Sequence, residues 1–386
     1  MNKERNTLLR GLNIFFTAIG VVVVVAFMAL IVTSSTSLGT LFSVIGLVKT
    51  QSIYPINGAQ MLEGAGAGIV EALDDPYSRY LDKQTYQDLK VKLEAKFGGI
   101  GVYVGQDNQG RIKIYSPIKG TPAYKEGIKH GDIIVRINGE STIKMTSDEA
   151  AQLMRGDPGT QLELGVYRES EGKEISFTIV REIINVPSVE DKILDEQVGI
   201  GYISLNQFHA QSAHELSSSV EKMINGEQVK GIILDLRDNG GGDFNAAVDI
   251  AGIFLDGSTV VSAADGKGNQ QVYKASLGQV DIPLVVLVNH DSASASEILA
   301  AALQENQRAE LVGVKTYGKG LVQTVFPLHD GGALKLTTQK YFTPNGTDIN
   351  QVGITPDYEV QNDPNNGQDL QLEKAIAVLK LKLGIK

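Results

Sequence analysis

Pro283-Leu-Val-Val-Leu-Val-Asn289 is followed, two residues later, by Ser292-Ala-Ser-Ala-Ser-Glu297, and then by Ile298, Leu299, Ala302 and Leu303. The first stretch is an unbroken apolar run rich in β-branched residues, which predicts a strand buried on both faces. The last residues recur at helical spacing. A strand feeding a helix through a short turn is the unit of an α/β fold. Three serines sit at that junction, where free backbone N–H groups at a helix N-terminus can stabilise a developing oxyanion. The same residues have a plainer use. Ser294 and Glu297 fit the S-x-x-E capping box, which only starts a helix. Spacing does not choose among Ser292, Ser294 and Ser296.

A serine nucleophile needs a base. The chain has five histidines, His130, His209, His214, His290 and His329. His290 is near the serines in sequence but ends the apolar strand and points into the loop. Lys319 fits better, in Tyr317-Gly-Lys-Gly-Leu-Val-Gln323. Its two glycines permit close backbone approach. A lysine acts as a base only where burial lowers its proton affinity. A single lysine is ordinarily a solvated surface charge; the glycines and apolar surroundings count against that here. With Gly320 to Phe326 as a strand, Lys319, Leu321 and Gln323 share one face, and Gln323 can orient the base.

Upstream, Lys230-Gly-Ile-Ile-Leu-Asp-Leu236 is a second buried-strand run, ending in Arg237-Asp-Asn-Gly-Gly-Gly242. A glycine turn after a strand presents N–H groups to an anion. Phosphate binding is the rival use, but neither G-x-x-x-x-G-K-[ST] nor G-x-G-x-x-G is present.

These stretches, with Gly353-Ile-Thr-Pro-Asp357, resemble the carboxyl-terminal processing proteases, a serine–lysine peptidase family with a PDZ domain. The likeness covers residues 60 to 386, with several separate motifs in the family's order. It implies a nucleophile at Ser294, 25 residues before a base at Lys319, with Gln323 orienting that base. It also implies an oxyanion hole from the N–H groups of Gly241 and Ala295. The chain departs from the family at Gly240, where a proline is common. The implied fold is α/β: a crotonase-like core of stacked ββα units, with an inserted β-rich PDZ domain.

At 386 residues the chain has room for two or three domains. Its 45 acidic against 35 basic residues leave no basic excess for nucleic acid. Without cysteine there are no disulfides or thiolate sites, and no HExxH-like cluster occurs, so neither metal nor cofactor is expected. Ile14 to Val32 is 19 residues without charge, inside an uncharged stretch from Gly11 to Val48. That is long enough to cross a bilayer as a transmembrane helix. Lys3, Arg5 and Arg10 against Glu4 put the N-terminus in the cytoplasm. The rival, a cleaved signal peptide, lacks an A-x-A site; only Thr33-Ser-Ser-Thr-Ser37 follows. A single-pass cell-membrane protein with an extracytoplasmic catalytic part is expected.

Residues 1–37 are then tail and anchor. Residues 38–96 form a helical region, with an amphipathic helix over Ala59 to Leu73, Asp74-Asp-Pro-Tyr-Ser-Arg-Tyr-Leu81 breaking it at Pro76, and a second helix over Lys83 to Lys96. These helices read as packing or homodimer elements. Residues 97–182 carry short strands and one capped helix from Thr146. With Gly98, Gly99, Ile100 and Gly101 feeding an edge strand, they resemble a PDZ domain. Such a loop takes a chain-terminal carboxylate, and the edge pairs with the peptide. The peptidase core occupies 183–360, and a polar linker and helix fill 361–386. The expected partners are protein or peptide substrates with exposed apolar C-termini. Two alternatives remain: a catalytically inactive PDZ adaptor on a peptidase scaffold, and a crotonase-type acyl-CoA enzyme.

Overall fold

The computed structural model describes residues 15–25, 37–278, 280–363 and 367–385. The chain divides into two compact units, Met1–Tyr80 and Leu81–Lys386.

In the first unit α1 covers residues 15–25, and α2 (Ser37–Gln51) and α3 (Gly58–Glu71) follow. Asn57 starts α3 with a reciprocal cap. Its side chain accepts the Gln60 N–H at 2.9 Å, and Gln60 Oε1 accepts the Asn57 N–H at 3.0 Å. Of the apolar residues that predict this helix only Val70 is buried, while Leu62 is 74% and Ile69 72% exposed. Among the described residues no helix is long and apolar enough to cross a membrane. The predicted transmembrane run falls partly outside them, at residue 14 and residues 26–32. The short β1 (Arg79–Leu81) ends the region.

The second unit opens with α4 (Lys83–Glu94). Asp82 caps it by accepting the Thr85 N–H at 2.7 Å, and Ala95 ends it at φ +50°. Next come β2 (Lys96–Gly99), β3 (Val102–Gln106), β4 (Ile112–Pro117), the short α5 (Pro122–Lys125), β5 (Ile133–Ile137), β6 (Glu140–Ser141), α6 (Ser147–Met154), β7 (Gln161–Arg168), β8 (Lys173–Val180) and β9 (Glu182–Asn185). The antiparallel order β3-β4-β5-β7-β8, with β6 on β5, makes β3 an edge. Ile112 and Ile114, Ile134 and (past a bulge) Ile137, and Leu162, Leu164 and Val166 point inward, where Ala150 and Met154 of α6 meet them. A buried ion pair pins the far end, with Arg168 Nε and Nη2 each 2.8 Å from Asp132.

One expectation is corrected here. Gly98 and Gly99 are not loop but strand, paired antiparallel with Ile183 and Glu182 of β9. The chain can turn only after that ladder, so the loop that heads β3 is Ile100–Gly101.

The remaining elements are β10 (Val189–Asp195), β11 (Ile200–Leu205), α7 (Ser212–Glu221), β12 (Gly231–Asp235), α8 (Phe244–Phe254), β13 (Thr259–Asp265), β14 (Gln270–Lys274), β15 (Leu284–Val288), α9 (Ala295–Glu305), β16 (Glu310–Gly313), β17 (Leu321–Pro327), β18 (Ala333–Phe342), β19 (Tyr358–Glu359) and α10 (Leu370–Lys382). The main sheet runs β10-β11-β12-β15-β16-β19, parallel except at β10. Both faces are covered, so its central strands need no polar side. Ile232, Leu234, Val286 and Val288 face α7, α8 and α9. Ile233, Val285, Leu287 and Val312 face Ala375, Val378 and Leu379 of α10. Full burial of each larger aliphatic side chain contributes about 1.5–3 kcal/mol, so α10 is a layer of the core itself. Arg237 ties it to the glycine turn, with Nη1 2.7 Å from Asp369 at the α10 N-cap.

Candidate active site

The two strands that the apolar runs predict, β12 and β15, are neighbours in parallel register, Asp235 beside Leu287. Both glycine and serine turns therefore leave the same end of the sheet, where α/β folds place their sites. Asn289 and Asp238 clasp across this end. The Asp238 N–H donates to Asn289 Oδ1 at 3.0 Å, and Asn289 Nδ2 donates to Asp238 Oδ1 at 2.7 Å.

The three serines separate by burial. Ser292 and Ser296 are fully buried. Their hydroxyls donate to Leu236 O and Asn239 O, each at 2.8 Å, and so stitch the serine turn to the glycine turn. Ser294 is half-exposed, at φ +56° and ψ −114°. A side chain in that region of backbone space is strained, and such strain concentrates where a turn must present one group. Ser294 alone of the three is built to be reached. Ala295 opens α9, and among the described residues its N–H has no acceptor.

Gly241, at φ +93°, lies so close that a Cβ there would sit 2.6 Å from Ala293 O, 2.8 Å from Ala295 N and 2.9 Å from Ser294 Cβ. Only glycine fits. Its N–H, expected to face an oxyanion, donates instead to Asn239 Oδ1 at 2.9 Å. Asn239 is fully buried, and its Nδ2 donates to Leu205 O at 2.6 Å.

Lys319 reaches the site through Glu297. The Ser294 N–H and the Lys319 N–H both donate to Glu297 Oε2 at 2.9 Å, which puts the two backbones within two hydrogen-bond lengths of each other. Tyr341 adds a second bridge, its hydroxyl placed to donate its one proton to either Ser294 O or Lys319 O. The glycines on either side of Lys319 lie against the backbone of 350–353, and the Gly320 N–H donates to Asn350 Oδ1 at 3.2 Å. Residues 350–353, which lead into the Gly353-to-Asp357 motif, are thus the wall behind the lysine loop. Lys319 is half-buried. Desolvation, and then the charge of Lys335 on β18, push its pKa below the ordinary lysine value, while Glu297 pulls the other way. Gln323 Nε2 donates over long distances to Leu321 O at 3.3 Å and Thr337 Oγ1 at 3.4 Å. His290 is exposed, its ring centroid 6.0 Å from that of Tyr317.

Comparison with known proteins fixes the family. The model of peptidase family S41 matches residues 199–360, that of the PDZ domain 113–168, and that of the activating protease CtpB N-terminal domain 33–85. The carboxy-terminal-processing protease of Bartonella bacilliformis is 38% identical over 320 residues, covering 81% of this chain and 73% of that one. The chain belongs to the carboxyl-terminal processing proteases of peptidase family S41. It is a serine-type peptidase. The CtpA protease of Bacillus subtilis is 37% identical over 316 residues, 81% of this chain and 67% of its own. Among solved structures, the photosystem II D1 C-terminal processing protease superposes with a TM-score of 0.50 at 28% identity, over 90% of this chain and 92% of that one.

Four residues of the site carry signals that the sequence reading used otherwise or not at all. Glu297 stands in the serine motif but reads as a helix cap. Asn239 hides within a glycine run, and Tyr341 and Lys335 lie on a strand with no motif.

Proposed function

We propose that this peptidase is a membrane-anchored endopeptidase that captures protein C-termini through its PDZ domain and cleaves them with a Ser294–Lys319 dyad. The observation that carries the dyad is the pairing at Glu297 Oε2. It joins the one reachable serine to a half-buried lysine whose pKa is lowered. Neutral Lys319 takes the hydroxyl proton as Ser294 Oγ attacks the scissile carbonyl. The carbonyl oxygen becomes an oxyanion held by the Ala295 N–H and, once freed from Asn239, by the Gly241 N–H. Protonated Lys319 then gives its proton to the leaving amine, and water resolves the acyl-enzyme by the same route. Gln323 orients the lysine.

Capture is supported by the Ile100 and Gly101 N–H groups, which have no acceptor among the described residues, at the head of the unpaired edge of β3. The half-buried Val102 and Val104, packed on the domain core, suit an apolar terminus. Anchoring is supported by the charge-free stretch from Gly11 to Val48 behind a basic tail, and exposed apolar residues on α3 suit a homodimer.

Two experiments test these readings. Turnover of an unfolded protein should disappear in Ser294→Ala and rise with pH in the parent, because only the deprotonated lysine is a base. The acid limb should lie below the ordinary lysine value; a profile flat through that range would break the dyad. Full-length protein should stay with membranes through carbonate washing and be digestible from outside the cell. A mature N-terminus beyond Val32 would show a cleaved signal instead.

A further inference from the structure

We propose that Glu297 is a positioning residue for the reaction: its buried carboxylate joins the turn carrying Ser294 to the loop carrying Lys319, and its charge acts on that lysine. The proposal rests on the Ser294–Lys319 dyad.

Glu297 is fully buried. Oε2 accepts the N–H of Ser294 and of Lys319, each at 2.9 Å, while Oε1 accepts the Thr316 hydroxyl at 2.6 Å and the Gly318 N–H at 2.7 Å. A helix cap needs only the first of these four bonds. The other three reach a segment 19 to 22 residues further along the chain. Two donors on each oxygen and no acceptor suit an ionised carboxylate, which accepts at both oxygens. Glutamine has the same shape but only one such oxygen, and its amide hydrogens would meet two donors head-on. Holding both loops at once therefore calls for the charge as well as the length of this side chain.

That charge has a chemical consequence. Lys319 is faced by Glu297 from α9 and by Lys335 and Tyr341 from β18. Burial and Lys335 drive the lysine toward its neutral form, and Glu297 opposes them. The opposition is useful, because a base that loses its proton too easily also takes one poorly from a hydroxyl. Glu297 sets geometry and basicity together.

The test uses the full chain and a small reporter substrate, with kcat and KM measured across pH for the parent, Glu297→Gln and Thr316→Val, and Lys319→Ala as the control for the dyad. Glu297→Gln should lower kcat by about a hundredfold with KM little changed, as for a misplaced reacting pair. Its acid limb should move to lower pH, because the neutral lysine is no longer opposed. Thr316→Val removes one donor and no charge, so it should lower kcat by less and leave the limb in place. A Glu297→Gln enzyme with parental kcat, or with reduced kcat and an unmoved limb, overturns the proposal. So does a Thr316→Val limb that moves as far. Should Glu297→Gln fail to fold, as judged by circular dichroism and thermal unfolding, Thr316→Val decides. Reduced kcat at unchanged KM upholds the tie between the loops, and parental kcat overturns it. A Lys319→Ala enzyme that still turns over breaks the dyad instead, whatever Glu297 does.

Discussion

In the loop that heads β3, the N–H groups of Ile100 and Gly101 have no acceptor among the described residues, whereas in the turn Asn239–Gly242 the N–H of Gly241 is already donated to Asn239 Oδ1 at 2.9 Å. Both are glycine turns, and both sit where an anion would be received. They differ in readiness. The PDZ loop offers its donors at the end of a strand that pairs on one side only among the described residues. The peptidase turn keeps one of its two inside the protein and leaves only the Ala295 N–H open. The cause is the fixed amide of Asn239, anchored on Leu205 O and buried beneath the turn. An oxyanion hole stabilises a transition state only when its donors already point at the oxygen. On the proposed function, capture is built in advance, while catalysis waits for one hydrogen bond to change partner.

Four outcomes would break or sharpen that contrast. The largest effect is expected from Lys319→Arg, which keeps the charge but cannot deprotonate in this range. Turnover should fall at least about a thousandfold, with peptide capture by the PDZ domain unchanged in a binding titration. Near-normal turnover would remove the lysine as base. Next is Gly241→Ala, where the added methyl meets Ala293 O and Ala295 N. A loss of about a hundredfold in kcat or more is expected, again with capture intact. Parental kcat would show that the turn has slack, and that the Asn239 bond is easily exchanged.

A third outcome concerns coupling. A short uncleavable peptide with a free apolar C-terminus should accelerate hydrolysis of a separate small reporter, since binding can shift the assembly of the core only by favouring the active arrangement. Amidating that peptide should weaken its binding by about tenfold, as expected for lost hydrogen bonds to a charged group. Bulky substitution at Gly101, where any Cβ would strike Thr121, should do the same and leave Ser294 reactive. An unchanged reporter rate at saturating peptide would make the PDZ domain a passive tether. The smallest effect is the most specific. Asn239→Ala frees the Gly241 N–H, so the ratio of peptide-stimulated to basal rate should shrink by a fewfold. A ratio that stays put would show that Asn239 does not hold the resting state.

Much of the fold was legible where one local rule acts alone. The β15 run is apolar throughout, and the β12 run as far as Leu234, because both sheet faces are covered. The junction serines were legible as a group, but the choice among them was not. Ser292 and Ser296 differ from Ser294 in burial, in backbone conformation and in what their hydroxyls meet, Leu236 O and Asn239 O, on a different turn more than 50 residues earlier. Glu297 forms the helix cap that its spacing predicts, but only that bond is local and legible; its other three are not. The strand β10 escaped notice because Val-Glu-Asp-Lys-Ile-Leu-Asp over 189–195 is too charged to read as sheet, although edge strands tolerate charge. The split of Gly98-Gly-Ile-Gly101 into two strand residues and two loop residues depends on β9, some 80 residues later, which no turn signal foretells.

The open edge of β3 exposes the molecule to a hazard. A row of unpaired backbone groups does not distinguish a substrate tail from the strand of any other unfolded or crowded chain, this one's copies included, and bare edges are where aggregation begins. The strand limits the risk by being only five residues long, from Val102 to Gln106, with Asp107 at its far end held in a turn by Arg111. So few rungs favour brief pairings over permanent ones, and, on the proposed capture at this edge, brief occupancy would let a processing enzyme release what it has trimmed.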